Sequence, residues 1–101
     1  MHERASDAIL NRMNKIRDQA IKQVSIAPSL QTCTSIYIDA KRKMMEEISN
    51  ARRSYRTGVI SYDDYRIIIY HYYNSLSDVL IHIRDRMMSL LTEEVSKLIS
   101  A

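Results

Sequence analysis

The chain has 101 residues, 46% of them hydrophobic and 27% charged, and a formal net charge of +3. That length suits one domain with one core and leaves too little chain for a second. The composition excludes disorder, and the longest apolar run, Ile67 to Tyr70, is far too short to span a membrane.

Cys33 is the only cysteine, so no intrachain disulfide can form, and a soluble cytoplasmic protein is expected. The charge is uneven. Residues 1–27 hold five cations and three anions, residues 28–60 six and three, and residues 61–101 four and six, giving +2, +3 and −2. Arginine outnumbers lysine, isoleucine outnumbers leucine and every aromatic residue is tyrosine. That bias resembles the composition of thermophilic archaeal and archaeal-virus proteins.

One proline, Pro28, and one glycine, Gly58, divide the chain into three pieces. Each piece repeats apolar residues every three or four positions, and none alternates with the period of a strand. An all-α antiparallel three-helix bundle is expected, with helices near residues 5–26, 29–56 and 62–99 and the last of them longest. The first helix should be capped by Ser6 or Asp7 and carry Ile9, Met13, Ile16, Ala20 and Val24 on one stripe. Its other faces hold Arg12, Lys15, Arg17 and Lys22, expected in solvent. It ends before Pro28, which disfavours helical geometry in the residue ahead of it.

The second helix starts at Pro28 or Ser29. Its seam runs Leu30, Cys33, Tyr37, Ala40, Met44, Ile48, Ala51 and Tyr55, within roughly 80° of arc. One four-residue step, Met44 to Ile48, stands where a strict heptad has three. Cys33 reads as a small buried hydrophobe. Gly58 suits the left-handed position that ends this helix, and Ser61 with Asp64 suits the start of the next, with Ile60 and Tyr65 as its hydrophobic staple.

The third helix meets no glycine or proline. An unbroken run of 38 residues would be about 57 Å long, against a radius of gyration of about 13 Å for a globule of this size. A break at Asn74 to Asp78 would instead make a four-helix bundle, because short polar side chains compete for the backbone there. Its expected central stripe is Tyr65, Ile69, Tyr72, Leu76, Leu80, Ile83, Met87 and Leu90. Ile68 and Val79 flank it on one side, and Tyr70, Tyr73, Ile81 and Met88 on the other. One neighbouring helix covers only part of so wide an arc, so Tyr70, Tyr73, Ile81 and Met88 are candidates for self-association and a homodimer is expected.

Arg42, Arg52, Arg53 and Arg56 on the second helix, with Tyr62 and Arg66 across the turn, form a candidate surface for a partner. Cations that neutralise phosphates, interleaved with rings that stack on bases, suit nucleic acid; arginine and tyrosine are equally the residues enriched where proteins meet. The Met44–Met45 and Met87–Met88 pairs each place one member in a seam and one at its edge.

Catalytic patterns are missing. Asp78 and His82 have metal-ligand spacing, but His71 lies roughly 16 Å from His82 along the axis, so His71, Asp78, His82 and Asp85 read as a solvated stripe. Glu46–Glu47, Asp63–Asp64 and Glu93–Glu94 are neighbours in sequence whose side chains diverge by about 100°. The expectation is a non-catalytic helical interaction or accessory subunit without cofactor or small-molecule substrate. It would self-associate through the third helix and present a basic surface to an acidic protein. Nucleic-acid binding by the arginine–tyrosine surface is the alternative.

Overall fold

The structure, a computed structural model, describes residues 3–101. Three helices follow one another, α1 (Ala5–Ser25), α2 (Leu30–Arg56) and α3 (Tyr62–Ser100), and no strand occurs among the described residues. Contacts from Arg4 to Asp64, Asn14 to His71 and Ala27 to Arg86 advance together along α1 and α3, which are therefore parallel. Arg12 meets Glu47, and Ala20 lies across a shallow groove from Ala40, so α2 runs antiparallel to both.

The two junctions end helices by different means. At Gly58, φ is +77°, and the Val59 amide donates to the Ser54 carbonyl (2.8 Å) while the Gly58 amide donates to Tyr55 (3.1 Å). This is a Schellman turn, open to glycine because no Cβ is strained there. Ser61 then caps α3, its Oγ accepting from the Asp64 amide at 3.0 Å. Ile60 and Tyr65 pack in one core cluster, as a hydrophobic staple requires. At the other junction Ser29 caps α2 by accepting from the Thr32 amide (3.2 Å), with Pro28 just outside the helix.

The cap of α1 differs from the expectation. Arg4 occupies it with extended backbone and no side-chain hydrogen bond, and Ser6 lies buried in the first turn. Ser6 precedes Ile9 by three residues and so shares the stripe that faces the core.

The core has two parts. Toward the Gly58 turn, Ile9, Met13, Met44, Ile68, Tyr72 and Leu76 pack as bulky side chains. Toward Pro28, small residues replace them, with Ala20, Ala27, Cys33 and Ala40 around Val24, Val79 and Ile83. Met13 and Met44 are wholly buried, each contributing about 1.5–3 kcal/mol through the apolar surface it removes from water. Cys33 is buried in the cluster toward Pro28, as its place in the seam implied.

One buried charge stands in this core. Glu47 is 8% exposed and its two carboxylate oxygens accept from Arg12 Nε at 2.9 and 3.0 Å, with Asn50 Nδ2 donating at 3.3 Å. Glu47 occupies the strict heptad position between Met44 and Ala51. The seam therefore keeps its three-residue step through a carboxylate, and Arg12, expected in solvent, supplies the counter-charge such burial requires.

Helix α3 is continuous through Asn74, so the bundle has three helices and not four. Ser75 and Leu76 are buried against the other helices while Asn74, Ser77 and Asp78 face solvent, so packing holds the backbone that short polar residues would otherwise loosen. At 39 residues, α3 is about 58 Å long. The molecule extends 64 Å in its longest direction, with a radius of gyration of 17.4 Å. Every residue from Leu91 to Ala101 is exposed, and Leu91, Glu93 and Glu94 still flank Pro28 and Leu30 at the end of the bundle. Among the described residues no helix is long and apolar enough to cross a membrane.

Candidate interaction surface

The buried face of α3 is Ile68, Tyr72, Ser75, Leu76, Val79 and Ile83. It is displaced from the expected central stripe toward the Ile68–Val79 edge, because α1 and α2 both lie on that side. Leu80, expected at the centre, is 48% exposed. The displacement uncovers the opposite edge. Tyr70, Tyr73, Ile81 and Met88, the four candidates for self-association, are all exposed, and so are Tyr62, Leu91, Val95 and Ile99. A largely apolar stripe, interrupted by Arg66, Ser77 and Arg84, therefore runs in solvent from the first turn of α3 to its last.

The stripe begins in a cluster of tyrosines at the Gly58 turn. Tyr55 at the end of α2 packs edge to face on Tyr62 (5.8 Å between centroids) and on Tyr65 (5.3 Å), an arrangement that matches ring edges to ring faces. These rings, with Arg66, Ile69, Tyr70 and Tyr73, wall an open, mostly apolar groove of about 560 Å³. At the other end of α3, Leu90 and Leu91 flank a shallower hollow against Pro28 and Leu30.

Four of the six residues of the candidate basic surface come together, and Arg42 and Arg53 stand apart from them. Arg52 and Arg56 border Tyr55 and Tyr65, while Arg66 and Tyr62 line the adjoining groove, so these four surround one tyrosine cluster. Arg42 stands fourteen residues before Arg56, about 21 Å away along the helix. It bonds Asp39 Oδ1 at 2.7 Å and Glu46 Oε1 at 3.2 Å, which holds the Asp39 carboxyl below its usual range, with Lys43 assisting. Arg53 is exposed and borders neither groove. Among the described residues Arg52, Arg53, Arg56 and Arg66 form no ion pair.

The polar stripe of α3 is occupied within the fold. His71 Nε2 donates to Asn14 Oδ1 at 2.6 Å, and His82 Nδ1 donates to the Asp78 carbonyl at 2.8 Å. Asp85 pairs with Arg84. Among the described residues no three His, Cys, Asp or Glu side chains come together to hold a metal ion. Both methionine pairs divide as expected, Met44 buried beside exposed Met45 and Met87 half-buried beside exposed Met88.

Two anchoring contacts gave no expectation from sequence. Arg86 Nε donates to the Ala27 carbonyl (2.8 Å), fastening the α1–α2 junction to α3, and Arg4 reaches Asp64 at 3.0 Å. Neither has a periodic signal, since each depends on a side chain crossing between helices. Comparison with protein-family models, with curated proteins and with solved structures returns no match.

Proposed function

We propose that the protein is a non-catalytic helical interaction subunit that self-associates through α3 and offers the basic end of α2 to an acidic partner. The observation that carries this reading is the uncovered apolar stripe from Tyr62 to Ile99. So many large exposed apolar side chains on one face of one helix, with only Arg66, Ser77 and Arg84 between them, mark a contact site, because exposed apolar residues are ordinarily scattered singly. The end of α2 supports the second half of the reading. Arg52 and Arg56 border tyrosines and, like the exposed Arg53, form no ion pair among the described residues, so residue types that dominate interface energetics stand together at this end.

The test is the mass by light scattering over a concentration series. A mass rising above 11.8 kDa is expected, and a concentration-independent monomer overturns the self-association. For the basic end, binding to an acidic polypeptide should weaken in Arg53→Ala and Arg56→Ala. Tighter binding to single- or double-stranded nucleic acid, falling steeply with salt, would replace the acidic protein with a phosphate backbone.

A further inference from the structure

We infer that the partner of the α3 stripe is a second copy of the same stripe, running antiparallel about a two-fold axis between Leu80 and Ile81. This rests on the reading of α3 as the self-associating helix. Exposed apolar residues of the stripe recur eleven positions apart, from Tyr62 to Tyr73, Tyr70 to Ile81, Leu80 to Leu91 and Met88 to Ile99, with the polar Arg66, Ser77 and Arg84 lying between them. Such a spacing gives about 3.67 residues per turn, so two helices can lie side by side with a slight right-handed supercoil.

In this register residue i faces residue 161 − i of the other copy. Tyr62 meets Ile99, Tyr70 meets Leu91, Tyr73 meets Met88, and Leu80 meets Ile81, all of them exposed in the single chain. Of the polar positions on the stripe, one pair matches directly. Ser77 meets Arg84, a hydroxyl against a guanidinium, and Arg66 meets Val95 beside Glu94.

Three features select this orientation. The axis falls at the middle of a helix that spans Tyr62–Ser100, so each copy covers the other along its whole length. Leu91 and Val95, both exposed in the last turns of α3, come to rest over the tyrosine groove at the Gly58 turn, so the exposed end of one copy fills the open groove of the other. The charges match as well, because Glu94 of one copy arrives at Arg66, close to Arg52 and Arg56 around the same tyrosines. A parallel pair would instead set Arg66 against Arg66 and Arg84 against Arg84, like charges facing each other in both places. Part of the acidic partner sought by the basic end of α2 is thus the second copy itself.

Cysteine cross-linking on the full chain reads the register, and Cys33 can stay because it is wholly buried. Tyr73→Cys and Met88→Cys proteins, mixed under mild oxidation, should give a covalent heterodimer, whereas neither should cross-link alone. Arg66→Cys with Val95→Cys repeats the test away from the centre in case the first pair weakens the contact. Cross-linking of each variant with itself, in a protein whose mass is that of a dimer, overturns the antiparallel register and leaves self-association standing. A monomeric mass for the unmodified protein overturns both.

Discussion

Ile68 and Tyr73 lie five residues apart on α3 and differ completely in what covers them. Ile68 is wholly buried among Ile9 and Met13 of α1 and Met44 and Ala51 of α2, while Tyr73 is 65% exposed. The buried row runs from Ile68 to Ile83 and the exposed one from Tyr62 to Ile99. The difference is which row the two shorter helices reach, and it separates residues that hold the fold from residues left to meet something else.

Truncation on the buried row should have the largest effect. Ile68→Ala leaves a cavity that the surrounding Met and Ile side chains only partly fill, and should cost about 2–5 kcal/mol. Seen as a lower urea midpoint with unchanged slope, this would be a large fraction of the stability of so small a domain. A loss below 1 kcal/mol would erase the distinction between the rows.

Ser75 sharpens the comparison from within the buried row. It is 1% exposed and its Oγ has no hydrogen-bond partner. A buried hydroxyl without a partner keeps its desolvation cost, so Ser75→Ala should raise stability, by up to about 1 kcal/mol. A loss in the urea midpoint would show that the hydroxyl is bonded in solution.

These residues also mark where the sequence was legible. The three helices and the Gly58 turn follow from local chemistry, since Gly58, Ser61 and the three- and four-residue spacings act within a few positions of themselves. The exposed candidates Tyr70, Tyr73, Ile81 and Met88 could be named because α3 has more apolar circumference than two neighbours cover. The exact edge of the core could not. Leu80 and Val79 are both apolar, and only the placement of α1 and α2 on one side buries Val79 and leaves Leu80 half in water. Glu47 was missed for a related reason. Its heptad position was visible as the irregular Met44 to Ile48 step, but a carboxylate in a seam becomes acceptable only when another helix brings an Arg12 to it.

On the exposed row a smaller effect on folding is expected. In dilute solution Tyr73→Ala should change the stability of the single chain by no more than about 1 kcal/mol, because the ring is mostly exposed and its aromatic contact is an edge-to-face one with Tyr72 at 5.0 Å. At higher concentration the same variant should dissociate more readily, with a dissociation constant raised about tenfold by loss of an interface aromatic. Equal destabilisation at every concentration would place Tyr73 in the fold and not in a contact between copies.

The smallest effect belongs to His71, at the margin between the rows. Burial lowers its pKa below the usual 6.5, Arg17 lowers it further, and Asp78 opposes the shift. The neutral ring donates Nε2–H to Asn14 Oδ1, so protonation in the folded state adds a charge that burial penalises. The unfolded chain carries the ordinary value and takes up its proton first as the pH falls. Stability from this group is therefore complete above about pH 6.5 and declines below it, levelling only once the folded form also protonates. His71→Gln keeps a donor for Asn14 without titrating. Between pH 7.5 and 5.5 the urea midpoint of the original chain should fall more than that of the variant. Parallel changes would mean that the imidazole is as well solvated in the bundle as in the open chain, and that the buried face of α3 ends before His71.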